Sequence, residues 1–588
     1  MRLRLPDALL TKTKTVSHIH VRKEFTMEQN NPYTNNLYAD NPNVNDTNVN
    51  NPNTYNLNIN NDPHNPYKAP VNYSVPPKKP DTVYTQNMKK HFPFFGIGSL
   101  LYAVFYSFCL YRNASGITYP FFVVGTLCYF FFSMRKLGVP YKKDSIFYMV
   151  SLILLGISIC LTDSPQLLAM NKCGIFLLSF ILMLHTVYQD KIWDMPKYFA
   201  AFAQTIGTIF LCVFCPFSDM ISYFDAQKRE KTGKKSYFLP AFIGIIITIP
   251  VLLVMTALLA SADAVFMNIL EGIFSAFNFI TAFEILFLTV LIFFISYSVY
   301  AALCMKNVNE ETSDHRSLEP IIAIIVTAAL SVLYLMFSVI QILYLFIGNM
   351  QLPDGYTYSG YAREGFFQLL TVCILNLIIA LLCLYLFRES TVLKVILTII
   401  SGCTFIMILS SALRMLMYIN RYNLTFLRIF VLWSLAVIFL LMAGVTLFIH
   451  MNRFPLFTYS MVVVTVFYIG LSFAHPDYWI ARYNLDPAHM EYLDKFDMND
   501  SHKYLRGLSA DAAPVLLNES RNPYLAQMPV GFDSDEFTDN TVRDYEEGGI
   551  LDEYSWLYRY YKKIEALSDN MHIRNFNFSV YTAGKYIN

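Results

Sequence analysis

Residues 320–347 read PIIAIIVTAALSVLYLMFSVIQILYLFI, 28 positions without a charged side chain. A helix needs roughly 20 apolar residues to cross about 30 Å of hydrocarbon. Lipid offers no partner to a free backbone amide, so a run of this kind must close its own hydrogen bonds as a membrane-spanning helix. Outward from it, comparable runs fall near 94–111, 117–134, 145–162, 168–188, 197–216, 238–259, 278–303, 365–387, 392–414, 425–449 and 456–474. The expected fold is all-α, a polytopic transmembrane helical bundle of about 11–12 spans.

Composition agrees. The 588 residues are 55% hydrophobic and 15% charged, against about 25% charged in an ordinary soluble domain. The lipid bilayer is therefore the partner this chain demands. Lys and Arg (44) nearly balance Asp and Glu (43), giving a net charge of +1, which leaves no field to attract nucleic acid. The last of the ten cysteines is Cys403, so the C-terminal region carries no disulfide framework.

Three regions follow. Residues 1–90 form a polar tail, in which Glu28 to Pro80 is rich in Asn, Pro and Tyr and repeats Asn-Pro at Asn31-Pro32, Asn41-Pro42, Asn51-Pro52 and Asn65-Pro66. Proline denies helix hydrogen bonds and Asn competes for backbone groups, so disorder is expected there, as a tether or a passive spacer. Met1 to Thr26 is basic but lacks the apolar core of a secretory signal, and synthesis is expected to begin at Met27. Residues 91–474 form the membrane domain. Beyond Ala474 hydropathy collapses, and helical signals return at 488–508 and at 551–567, where Trp556, Leu557, Tyr560, Tyr561 and Ile564 recur at helix spacing. Residues 475–588 are expected to form a small helical soluble segment packed on the membrane domain.

Orientation is read from Lys and Arg in short loops, which stay on the cytoplasmic side. The loop with Lys228, Arg229, Lys231, Lys234 and Lys235 is the strongest anchor, joined by alternation with Lys306 and Arg316, Arg388 and Lys394, and Arg453. The loops at 260–277, 348–364 and 415–424 and the C-terminal segment are then extracytoplasmic, in a multi-pass cell-membrane protein. Lys78, Lys79, Lys89 and Lys90 also argue for a cytoplasmic N-terminus, yet five runs separate them from the anchor loop where an even number is needed. Either one early run fails to cross, 197–216 being the suspect, or the N-terminus lies outside. Arg414, Arg421 and Arg428 on the outer side weigh against the assignment.

Several stretches of the second half resemble a bacterial family of polytopic membrane proteins, domain of unknown function 4173 (DUF4173), related to DUF4153. They are Leu258 to Phe266 (LLASADAVF), Tyr358 to Leu369 (YSGYAREGFFQL), Ser411 to Met415 with Tyr418, Thr425 and Arg428, and Ile480 to Asn484. Tyr504-Leu505 with Leu508 to Ala512 (LSADA), and Asn575 to Ser579 (NFNFS), complete the set. The blocks occur in order over roughly residues 94–588. The resemblance implies a membrane-embedded protein and supplies no reaction.

Ionisable side chains near hydrocarbon are the best lead to function, because a charge at mid-membrane costs on the order of 3 kcal/mol or more. Asp263 closes the sixth run, Glu284 sits just inside the seventh, and Tyr361, Arg363 and Glu364 begin the ninth. Arg414, Arg421 and Arg428 border the loop after the tenth. All fall on one side of the expected topology. Two readings stand: a proton- or cation-handling site or polar ligand cleft at Asp263 and Glu284 with Arg363 and Arg414 as counter-charges, or structural salt bridges and anchors that lock helix ends. Asp263, Asn268 and Glu271 lie in a stretch, Ser261 to Phe274, that reads as a re-entrant helix or an amphipathic linker on the membrane surface. Gln204, Gln341, Gln368 and Asn376 fit interhelical hydrogen bonding.

Cys212 and Cys215 form a Cys-x-x-Cys pair, but at the end of an apolar run, the wrong end of a helix to stabilise a thiolate for redox work. The chain lacks a glycine-rich phosphate loop, a His-Glu-x-x-His pair and a Gly-x-Ser-x-Gly elbow. The histidines are scattered, with His185 and His450 at span ends, so no metal site and no cofactor are expected. The favoured function is a non-enzymatic transporter-like or sensory membrane component. The alternatives are a membrane-embedded enzyme acting on a lipid-linked or envelope substrate and a scaffold whose tails recruit other membrane or envelope proteins. A water-reaching cavity at Asp263 and Glu284 would favour transport, one open to lipid there would favour the enzyme, and no cavity at all would favour the scaffold.

Overall fold

The structure, a computed structural model, describes residues 80–588 apart from 192, 231–243, 245–247, 249–250, 253, 257, 277–278, 312–315, 344–357, 452, 491–494, 527–551 and 588. The Asn-rich tail, the start at Met27, Lys231, Lys234 and Lys235 of the basic loop and most of the run 238–259 therefore lie outside the described residues, as do the side chains of Tyr361, Arg363 and Glu364.

The described chain is helical. A short α1 (Val83–Lys90) leads into α2 (Phe92–Leu110), α3 (Thr118–Leu137), α4 (Ser145–Leu161) and α5 (Pro165–Val187). Then come α6 (Met195–Leu211), α7 (Cys215–Glu230), α8 (Ala264–Ala276) and α9 (Phe279–Met305). The second half holds α10 (Pro320–Gln341), α11 (Tyr358–Leu386), α12 (Thr391–Tyr422), α13 (Phe426–His450) and α14 (Leu456–Phe473). After Ala474 follow α15 (Pro476–Asn484), α16 (Lys495–Gly507), α17 (Asp552–Asp569) and α18 (Phe578–Gly584), with single turns between.

Among the described residues, eight helices are long and apolar enough to cross a bilayer: α2, α5, α9 to α14. The apolar α4 falls just short in length, and α3 carries Arg135 and Lys136 in its last turn. Ile325, Val332, Leu333 and Met336 of α10 are more than half exposed, as a helix surrounded by lipid requires. With no hydrophobic drive between helices in lipid, contacts are made by small residues and hydrogen bonds. At Gly444 of α13 an added Cβ would come within 2.3 Å of the Tyr459 ring of α14. Asn171 of α5, wholly buried, donates to Ser158 of α4 at 3.2 Å and accepts from Tyr468 and Ser472 of α14 at 2.6 and 2.7 Å. Asn376 of α11 donates to Thr404 of α12 at 3.0 Å, Gln204 donates to the Asn307 carbonyl at 3.0 Å, and Gln368 is exposed.

The run 197–216 is broken. The helices α6 and α7 are bent by 64° at the break, and both limbs contact the same end of the bundle. Lys197 reaches the Glu311 carbonyl at 3.0 Å, Ser298 donates to the Cys212 carbonyl at 3.2 Å, and Tyr297 donates to Asp219 at 3.0 Å. The rings of Tyr223 and Phe92 lie 6.0 Å apart, at the first turn of α2. The bend makes the pair either one broken span or a re-entrant loop.

Candidate functional site

Among the described residues, the charges singled out by sequence do not form one cluster. Glu284, in the first turns of α9, accepts from Tyr111 at 2.5 Å and from Arg112 at 2.8 Å; both come from the loop between α2 and α3. Among the described residues these are its bonds, and the Arg112 pair is about half exposed on both sides. Asp263 caps α8: its carboxylate accepts from the Val265 N–H at 2.7 Å and the Phe266 N–H at 3.4 Å. Arg414 is buried and donates at 3.2 Å to Gln341, which also accepts from Ser410 at 2.5 Å. Arg428 donates to the carbonyls of Tyr422, at 2.6 Å, and Asn423 at the C-terminus of α12, with its guanidinium 4.2 Å from the centre of the Tyr418 ring. A cation on the last carbonyls of a helix favourably meets the helix dipole. Arg421 lies against the Tyr422 ring. The geometry of these residues matches helix-end locking.

The helix break also relocates the cysteine pair. Cys212 ends α6 and Cys215 opens α7, so Cys215 occupies a helix N-terminus rather than the helix end that the apolar run suggested. Both are free thiols, and the buried Cys212 contacts the Met305 sulfur at 3.7 Å.

Among the described residues, a buried polar centre lies at the other end of the bundle, where the chain after Ala474 meets the loops before α3 and α5. His475 adopts a left-handed backbone (φ 46°) before Pro476 opens α15, and this turn sets Asp477 beside Ser509, whose hydroxyl and N–H donate to it at 2.6 and 3.2 Å. Ser509 caps the short turn Ala510–Ala512, which carries Asp511. The Asp511 side chain is fully buried. Its carboxylate accepts from the Thr162 hydroxyl at 2.5 Å, the Asp163 N–H at 3.0 Å and the Ser579 hydroxyl, and it lies 3.2 Å from Nδ1 of His475. In return the Ala510 N–H donates to Asp163 at 3.3 Å.

Asn577 locks the same junction. Its side-chain oxygen caps α18 through the Ser579 N–H at 2.9 Å, while its amide donates to the Thr162 carbonyl at 2.8 Å and the Ile159 carbonyl at 3.4 Å, groups that the end of α4 leaves open. Next to it the Ile117 N–H donates to the Phe576 carbonyl at 2.8 Å. Gly116 there has φ +148°, and a Cβ would sit 2.8 Å from the Asn575 backbone, so the approach requires glycine.

Electrostatics separate the three carboxyls. Burial pushes Asp163 up to about 6 and also raises Asp477. Burial acts on Asp511 in the same direction, but hydrogen bonds from His475, Ser579, Thr162 and the Asp163 N–H outweigh it and hold the carboxyl below the usual range. The hydrogen bond to Asp511 raises His475. Lys563 of α17, lowered by burial, donates to the Leu508 carbonyl at 2.7 Å. One ionised carboxylate held by donors from three chain segments is a fastener; no group of His, Cys, Asp and Glu suited to a metal occurs among the described residues.

Sequence reasoning gave these residues no role. The signal was present, since LSADA at 508–512 and NFNFS at 575–579 are two of the blocks that carry the family resemblance, and they meet at this junction.

Lipid-facing helices closed on themselves, joined to a helical C-terminal region by buried polar bonds, define a polytopic α-helical membrane protein. The family model for Domain of unknown function (DUF4153) matches residues 149–519, and the chain belongs to that family. No curated protein and no solved structure matches it.

Proposed function

We propose that this protein is a non-enzymatic sensory component of the cell membrane, in which an extracytoplasmic C-terminal region is rigidly coupled to the spanning helices. The observation that carries the reading is Asp511, whose donors come from the α4–α5 loop, the α14–α15 turn and α18. A polar ligand path at Asp263 and Glu284 has less support, because both carboxylates are engaged in capping and ion pairing.

Sidedness follows the basic residues. Arg135, Lys136, Lys142, Lys143, Lys306, Arg316, Arg388, Lys394 and Arg453 lie on helix ends and loops that alternation assigns to the α1 end, which favours that end as cytoplasmic. At the opposite end Arg428 is engaged with helix carbonyls and Arg112 with Glu284, which lowers their weight as topology signals. A resemblance to the related family DUF4173 is supported by NFNFS, beyond the matched range. Partners in the membrane or envelope would be met through the two tails.

Two measurements test this. With native cysteines removed, Ser520→Cys should react with a membrane-impermeant maleimide in intact cells and Lys143→Cys only after permeabilisation; the reverse pattern overturns the sidedness. Hydrogen exchange on the full chain should show that Asp511→Asn loosens α4 and α5 as well as residues 475–588. Loosening confined to the C-terminal region would end the coupling reading.

A further inference from the structure

A cavity of about 430 Å³ opens between α3, α4 and α5, inside the roughly 300–1,000 Å³ range of ligand pockets. Its walls are graded. Leu127, Phe130 and Phe131 line the deep part on α3, and Met149 and Leu182 face it from α4 and α5. Arg135 in the last turn of α3, Ser145 at the start of α4 and Thr186 in the last turn of α5 line the other part, so the polar residues gather where the three helices end together. From Leu127 to Gly138, the α3 residues that line it span about 16 Å of helix rise, which is close to half of a roughly 30 Å hydrocarbon core.

The mouth is unbalanced in charge and hydrogen bonding. No carboxylate lines the cavity. Arg135 is exposed and forms no ion pair among the described residues, whereas its neighbour Lys142 is occupied by the carbonyls of His185 and Tyr188 and by Asp190 at 3.4 Å. The Ser145 residue is 3% exposed, and its Oγ is buried without a hydrogen-bond partner.

From these features we propose that the groove seats one acyl chain of an anionic phospholipid drawn from the leaflet at the α1 end, with the lipid phosphate held by Arg135 and Ser145 Oγ. A chain entering from the interface fills an apolar slot one leaflet deep. The phosphate meets the one basic side chain of the lining and a hydroxyl that otherwise lacks an acceptor. A zwitterionic lipid would present a competing ammonium to Arg135 and is disfavoured.

The test is lipid retention by the full-length protein in detergent, read by native mass spectrometry with phosphatidylglycerol and phosphatidylcholine in equal amounts. The wild type should prefer phosphatidylglycerol by about fivefold, the contribution of one basic residue near a charged surface. Arg135→Gln should bring the ratio near one, while Lys143→Gln, a nearby charge outside the groove, should leave it unchanged. Met149→Trp, which fills the slot from a half-buried position, should lower retention of both lipids. A preference that survives Arg135→Gln, or falls equally with Lys143→Gln, overturns the site. Displacement of the retained lipid by glycerol 3-phosphate alone would show that no chain is seated and would overturn it too.

Discussion

Glu284 and Asp511 are acidic residues at the same end of the bundle, and their surroundings differ in every respect that sets energy. Glu284 is half exposed and bonded from one neighbouring loop; Asp511 is sealed from solvent and bonded from three segments far apart in the chain. In high dielectric an ion pair of the first kind contributes little. A buried carboxylate of the second kind is strongly committed, because removing it strands several donors at once. Position near a membrane span thus marked the weaker of the two.

The sharpest test of that contrast is Asp511→Ala, expected to weaken attachment of residues 475–588 by about 3 kcal/mol. Limited proteolysis of the purified full chain should show faster cleavage after Ala474 with the spans intact. Cleavage no faster than in a Glu284→Ala control would dissolve the distinction.

Acidity should act on the same junction. Asp163, Asp477 and His475 all bind protons more tightly in the folded junction, so the stability they contribute is full below their unfolded values and is lost as pH rises through the folded ones. For Asp163 that interval runs from 3.8 to about 6. Asp511 has the opposite sign: its contribution exists above its unfolded value and fades as pH falls through its depressed one. Proteolytic resistance should therefore drop as pH rises through about 6 and drop again in strong acid. A flat profile between pH 3.8 and about 6 would argue that Asp163 is better solvated than its burial indicates.

Asn577→Ala removes a helix cap together with the donor to the α4 carbonyls, and should cost about 1–2 kcal/mol; an unaltered melting profile for α18 in hydrogen exchange would count against the cap. Glu284→Gln should leave thermal stability close to that of the wild type, because an exposed ion pair contributes little. A larger loss would move Glu284 into the class of Asp511.

The legible part of the fold was the part written in local hydrophobicity. Whether a stretch such as 320–347 enters lipid depends on its own side chains, so α10 and the other long spans follow from composition and length. The bend between α6 and α7 was not legible in local hydrophobicity, because a break at residues 212–215 leaves the apolar run uninterrupted. The tail helices at 495–507 and 552–569 fall within or close to the regions that periodicity marked.

Partnership is another matter. That Asp511 would meet Thr162 and Ser579, or that Asn577 would close the end of α4, depends on contacts across 349, 68 and more than 400 positions. Residue type and spacing fix a helix because its hydrogen bonds are made within the helix itself. They do not fix which distant donor a carboxylate will find, since that depends on how whole helices pack, and only the tertiary structure decided it.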